Sequence, residues 1–233
     1  MSLFAGRVAV AAGVVAGAAI GKQAGAGADV IYHPTSTAAN GKTVYLSVAC
    51  HDTNDGYPGG ACIPNSGCGG HNENNWSKAA ATSFADYGYG LVWAGYKTIV
   101  GTGTRDQNIA NSNANGAGTH IPVHSNADVA VTGASCARTG TGDFGTWAMH
   151  YPNDSNQIAL SYHMLARVGT SSLGTGDQLV PRSQLPELFS VDGVASYLEA
   201  DFHTWNAGSK WLADYNTWGW RVRWAVDGFW DFP

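Results

Sequence analysis

Charge is scarce along this chain. Asp, Glu, Lys and Arg make up 12% of its 233 residues, and the net charge is −5. No run of Lys or Arg occurs, so the clustered cations that meet the phosphates of nucleic acid are missing. Cysteine is limited to four residues, Cys50, Cys62, Cys68 and Cys136. They form no Cys-x2-Cys pair, which excludes the paired-ligand spacing of a zinc ribbon. The uncharged stretch Val8 to Gly21 is too short and too rich in Gly for a bilayer span. No internal repeat is present, which sets aside solenoids and arrays.

Glycine and aromatic residues are plentiful, with Gly 31, Trp 9 and Tyr 10. Low charge combined with many aromatics is common in extracellular proteins that meet carbohydrate. The length suits one domain of moderate size with a three-layer core. Residues 1–42 read as a leader and linker, and residues 43–233 as a catalytic-sized domain. Arg7 precedes the Ala, Val and Gly stretch, and Ala24-Gly-Ala26 and Ala26-Gly-Ala28 resemble small-residue cleavage sites. Three readings stay open: an export signal, a membrane-proximal anchor, or a segment that packs within a phage or injection particle. Cys62 and Cys68 bracket Ile-Pro-Asn-Ser-Gly and are expected to close a small disulfide loop in an oxidising compartment. Four free thiols in a cytosolic protein are the alternative.

The pattern alternates between strands and helices. Val44–Ala49 reads as a strand, Glu73 to Tyr89 as a helix with Trp76, Ala80, Phe84 and Tyr87 near one face, and Thr98–Val100 as a short strand. Asp106–Asn115 reads as a helix stopped by Asn115-Gly116, and His120–Val123 as a strand. Thr146–Tyr151 follows as a strand, then a helix capped by Ser155 and reaching Val168. Val194–Leu198 reads as a buried strand, with helices over Ala207–Tyr215 and Thr217–Phe229. This order predicts an α/β three-layer sandwich whose central sheet is mostly parallel. Most tryptophans, among them Trp93 and Trp224, are assigned to the core. Trp205 and Tyr57 are expected to stack on a sugar.

Two histidines and two acids stand where such a fold keeps its chemistry. Val44–Asp52 runs Val-Tyr-Leu-Ser-Val-Ala-Cys-His-Asp, which places His51 at the tip of an apolar strand. His124 stands at another strand tip, and Glu73 opens a helix facing the same edge. Zinc accepts imidazole nitrogen and carboxylate oxygen, and catalytic sites use three protein ligands plus water. His51, Glu73 and His124 are therefore the expected metal ligands, with His71 competing with Glu73. Glu199 follows apolar residues that would desolvate it, which suits a general base. Against these stand plainer roles: a buried histidine bonded to backbone, a first-turn acid favoured by the helix dipole, and a strand-end acid in an ion pair.

Four blocks in order carry a resemblance to a known family. They are Val44–Asp52, Asn72-Glu-Asn-Asn-Trp76, Thr104 to Ala127 with its Val-His-Ser-Asn-Ala, and Leu185-Pro-Glu-Leu followed by Tyr197-Leu-Glu-Ala-Asp-Phe-His-Thr204. Trp220–Asp227 is similar to the last helix of that family. Together they resemble the zinc-dependent N-acetylmuramoyl-L-alanine amidases of the amidase_3 type, which cut peptidoglycan. The resemblance implies that His51, Glu73 and His124 bind Zn2+ and that Glu199 is the acid and base. The bond cut would be the amide between N-acetylmuramic acid and L-alanine, in an extracellular or cell-wall setting. A non-catalytic wall-binding or structural particle protein of the same fold is the rival reading. The family usually has Pro-Gly before its first histidine, where this chain has Ala49-Cys50, and Trp205 replaces a smaller polar residue.

Overall fold

The computed structural model describes residues 23–24, 29–34, 39–49, 67–127, 134–137 and 141–232. Strands β1 (Gln23–Ala24), β2 (Val30–Tyr32) and β3 (Thr43–Val48) precede helix α1 (Glu73–Asp86) and strand β4 (Lys97–Gly101). Helix α2 (Arg105–Ala114), β5 (Thr119–Asn126), β6 (Trp147–His150), α3 (Ser155–Arg167) and β7 (Gln178–Pro181) follow. The short α4 (Pro186–Phe189) leads to β8 (Val194–Ala195) and β9 (Tyr197–Phe202). Helices α5 (Asn206–Ala213), α6 (Tyr215–Trp218) and α7 (Trp220–Phe229) finish the chain.

One sheet runs in the order β1-β2-β4-β3-β5-β9-β6-β7, with β8 beside the start of β5. Its centre, β4-β3-β5-β9, is parallel throughout, while β2 and β6 join it antiparallel. The strand Val30–Tyr32 lies inside the stretch read as linker, and buried Tyr32 joins the main core. The sheet thus extends upstream of residue 43.

Alternation along the strands splits the sheet into two unlike faces. Val44, Leu46 and Val48 of β3, Ile121 and Val123 of β5, and Leu198 and Ala200 of β9 point to one side. There they pack with Trp76, Ala80 and Phe84 of α1, Leu160 and Met164 of α3, and Val222 and Val226 of α7. The other side carries Tyr45, Ser47, His120 and His124, covered by α2 and α4. Helices on both faces of a mostly parallel sheet make the expected three-layer sandwich.

The element ends differ from the sequence reading for identifiable reasons. Helix α1 stops at Asp86, because Tyr87 is extended (φ −86°, ψ 128°) and Gly88 takes φ 57°, a left-handed conformation that favours glycine. Tyr87 is therefore exposed rather than on the buried face. The cap of α3 is Asp154, not Ser155: its Oδ1 accepts from the amides of Asn156 and Gln157, both at 3.0 Å. The strand expected over Val194–Leu198 is divided at Ser196 into β8 and β9. The last helix is divided at Gly219, where a Cβ would sit 2.7 Å from Phe84 Cδ1.

Among the described residues a disulfide joins Cys68 to Cys136, with Cα atoms 5.6 Å apart, in place of the expected Cys62–Cys68 loop. Spacing alone ranked the short loop first, whereas the fold brings the turn Cys68–Gly70 beside Ala134–Ala137. Cys50, Cys62, His51 and Tyr57 lie outside the described residues. No helix among the described residues is long and apolar enough to cross a membrane.

Candidate active site

The start of α1 is tied to the ends of two strands, which sets the position of Glu73. Ser77 Oγ donates to Val123 O at 2.5 Å and accepts from the amide of Ala49 at 2.8 Å. Asn74 Nδ2 donates to Ala49 O at 2.7 Å, and Asn72 caps the helix by accepting from the amide of Asn75 at 3.0 Å. Glu73, the first helical residue, is consequently held over the end of β5 with only 2% of its surface exposed.

His124 meets it there. Its Nδ1 lies 3.3 Å from Glu73 Oε1, and the same oxygen accepts from the amide of Ser125 at 3.0 Å. On the next strand Glu199 is the register partner of His124. The pairing shifts just beyond, because three steps of β9 from Glu199 to Phe202 oppose two of β5 from His124 to Asn126. Such an irregularity bends the strand and re-aims side chains, a common device beside active sites. Three of the four residues singled out from sequence, Glu73, His124 and Glu199, thus gather at one sheet edge. His51 lies outside the described residues.

The electrostatics favour positive charge. Burial alone would depress His124, but the hydrogen bond and charge of Glu73, with the charges of Glu199 and Glu187, raise it to about 9. Ligand atoms bound to one tetrahedral zinc at about 2.1 Å stand about 3.4 Å apart. The 3.3 Å between Glu73 Oε1 and His124 Nδ1 matches that spacing. Among the described residues no group of three His, Cys, Asp or Glu is arranged to hold a metal. His51, the third expected ligand, lies outside the described residues. The donors present, one carboxylate and one imidazole in a buried, carboxylate-rich pocket, fit a divalent cation.

Residues with no role in the sequence reading complete the surroundings. Glu187 of α4 is buried, accepts from Ser47 Oγ at 2.5 Å and lies 3.3 Å from His120 Nε2. Burial would raise Glu187, yet its hydrogen bond with His120, the charges of His120 and His124, and the bond from Ser47 together lower it. Asn108 of α2 donates to Ser47 Oγ at 2.9 Å, and the Tyr45 ring stacks on His120 at 5.4 Å. A signal for this network was present: His120 and His124 are four apart on one strand, so they share a face.

The expected competitor His71 takes a different position. Its Nε2 lies 3.0 Å from Ser125 Oγ, which in turn lies 3.0 Å from His203 Nδ1. The His71 and His203 rings stack at 5.1 Å and 7°. His203 Nδ1 also lies 3.1 Å from Ser125 O. A carbonyl only accepts, so this nitrogen carries the proton, and the Ser125 hydroxyl is left to donate to His71 Nε2. Burial, then the neighbouring His203, lowers His71 to about 4, which keeps it neutral. Trp205, expected to stack on sugar, is instead 4% exposed and stacks on Phe144 at 4.8 Å. It follows β9 directly, where the cluster of Phe144 and Phe202 receives it.

No protein-family model and no curated protein sequence matches the chain. Solved structures do. The N-acetylmuramyl-L-alanine amidase Ami1 from Mycobacterium smegmatis aligns with a TM-score of 0.63 at 14% identity, over 82% of this chain and 97% of that one. The N-acetylmuramoyl-L-alanine amidase AmiC2 of Nostoc punctiforme aligns with a TM-score of 0.63 at 12% identity, over 83% and 99%. The catalytic domain of the CD27L endolysin targeting Clostridia difficile aligns with a TM-score of 0.58 at 19% identity, over 82% and 98%. The resemblance read in the sequence blocks is therefore matched by structure: this chain has the fold of N-acetylmuramoyl-L-alanine amidase catalytic domains.

Proposed function

We propose that this chain is a zinc-dependent amidase that hydrolyses the bond between N-acetylmuramic acid and L-alanine in peptidoglycan, acting outside the cell or at the wall. One observation carries the reading: Glu73, His124 and Glu199 converge at one sheet edge of an amidase fold. His51, Glu73 and His124 would hold the metal. A bound zinc supplies Lewis acidity to the scissile carbonyl and the attacking water. Glu199 takes a proton from that water as its oxygen bonds to the carbonyl carbon, and delivers it to the amine nitrogen as the C–N bond breaks. Glu199 is half-buried beside His124, where a carboxylate can exchange protons with a bound substrate. The Ser125 amide orients Glu73 from behind, and Glu187 adds negative charge near His124.

The test is digestion of purified peptidoglycan with wild type and with Glu199→Ala, followed by mass spectrometry of the new termini. Free lactyl carboxylates on muramic acid and free L-alanine amines, lost in the variant, are expected. Cleavage at another bond, or equal activity in the variant, overturns the mechanism. Absence of any cleavage by zinc-loaded wild type favours a wall-binding protein that keeps the fold.

A further inference from the structure

Beyond the far end of α1 the surface is aromatic. Tyr89 and Trp93 are 64% and 63% exposed, and Trp224 of α7 is 41% exposed, against the expectation that Trp93 and Trp224 belong to the core. The rings of Tyr89 and Trp93 are 5.7 Å apart, and those of Trp220 and Trp224 meet edge to face at 4.2 Å. A groove of about 510 Å³, lined by Tyr89, Trp220, Arg223 and Trp224, joins the two pairs. Contiguous exposed rings of this kind mark binding surfaces on soluble proteins.

The groove is held in shape and bordered by cations. Trp220 Nε1 donates to Thr217 O at 2.8 Å, and Arg223 Nε donates to Asp227 Oδ2 at 2.9 Å. The Arg221 guanidinium stands 4.7 Å from the Trp220 ring and that of Arg167 stands 5.8 Å from the Trp224 ring. Three arginines therefore gather here on a chain that has only 12 Lys and Arg and a net charge of −5. The lining holds no aliphatic side chain, unlike a seat for an apolar helix. Flat rings offer faces to the C–H surfaces of sugars, and arginine is the residue best shaped for carboxylates. Helix α1 has 14 residues and spans about 20 Å, with Glu73 at its start and Tyr89 just beyond its other end.

We propose that this groove binds peptidoglycan as a contact separate from the catalytic edge, its rings facing the sugars of the glycan strand and its arginines the carboxylates of the attached stem peptides. The occupant rests on the functional reading above. A polymer can lie in the groove while another of its repeats reaches Glu199.

The test uses Tyr89→Ala/Trp224→Ala in the full chain, with Glu199→Gln added for sedimentation so that the wall stays uncut. Both aromatics are exposed, and circular dichroism checks the fold. Co-sedimentation with purified sacculi should weaken about tenfold, the loss of about 1.4 kcal/mol. Turnover of a soluble N-acetylmuramoyl peptide, too small to span both places, should be unchanged without the Glu199 substitution. Unaltered sedimentation overturns the proposal. So does an equal loss of binding to phosphatidylglycerol vesicles, which would mark a bilayer surface, or a shift from dimer to monomer in light scattering, which would mark a second copy. Weakened sedimentation together with wild-type protein that cuts no wall would support the groove and sink the catalytic reading.

Discussion

Glu73 Oε1 stands 3.3 Å from His124 Nδ1, both side chains are buried, and they come from different elements brought to one sheet edge. Each group lowers the cost of burying the other. Glu73→Ala should therefore lower zinc content as well as activity, with metal affinity falling by at least about tenfold to a hundredfold. Elemental analysis of the purified variant checks the first, and peptidoglycan turnover the second. In wild type, chelation should reduce the melting temperature, since a ligand at a hundred times its dissociation constant contributes about 2.7 kcal/mol.

Ser125 makes four contacts at once: its amide to Glu73, its hydroxyl to His71, and its hydroxyl and carbonyl to His203. Ser125→Ala keeps the amide and removes the hydroxyl between the two imidazoles. The expected cost is about 1 kcal/mol, from removing the partner of the partly buried His71 Nε2. Urea denaturation measures it. Zinc content should be retained, because the amide that holds Glu73 is unchanged.

Asp201 predicts how stability depends on pH. Burial, with the charge of Asp177 adding, raises it from 3.8 to about 7, against hydrogen bonds from the amides of Phe202, Leu173 and Gly145. A carboxyl raised on folding adds stability that is fully present below 3.8 and is lost as pH rises through about 7. At about 1.4 kcal/mol per pH unit, this window is worth a few kcal/mol. Asp201→Asn should flatten the fall in melting temperature between pH 4 and pH 8. Parallel curves for the two proteins would refute the assignment.

The Cys68–Cys136 bridge closes a loop with a sequence separation of 68. In the chain-entropy account, Cys136→Ser should cost about 4 kcal/mol. Cys68 also anchors the neighbouring histidines, since its amide donates to His203 O at 2.8 Å and its carbonyl accepts from the His71 amide at 3.2 Å. Reduced protein should accordingly unfold at lower urea, with the same midpoint as the variant under reducing conditions.

Much of this was legible in the sequence because periodicity reports burial. The apolar alternation of Val44, Leu46 and Val48 marks one face of β3, and Glu73 opens α1 where the sequence reading begins that helix. The shift beyond His124 was not legible, since a pairing irregularity leaves no trace in either strand alone. The partner of Cys68 needed a distance that only the folded chain supplies. Trp205 looked like a loop aromatic beside the acid, but its ring stacks on Phe144, which lies 61 positions earlier by subtraction. Trp93 and Trp224 show the opposite error: the sequence reading assigns both to the core, while the packing leaves them exposed.

Strand β5 can be read as two interleaved messages. Ile121 and Val123 belong to the apolar packing, while His120 and His124 belong to the polar network on the other side. Neighbouring positions therefore answer to different pressures: one set to whether the chain folds, the other to what it does once folded. Substitutions stepped along this strand should alternate between loss of soluble protein and loss of activity in soluble protein. The chemistry of this chain can then change without reopening the problem of its stability.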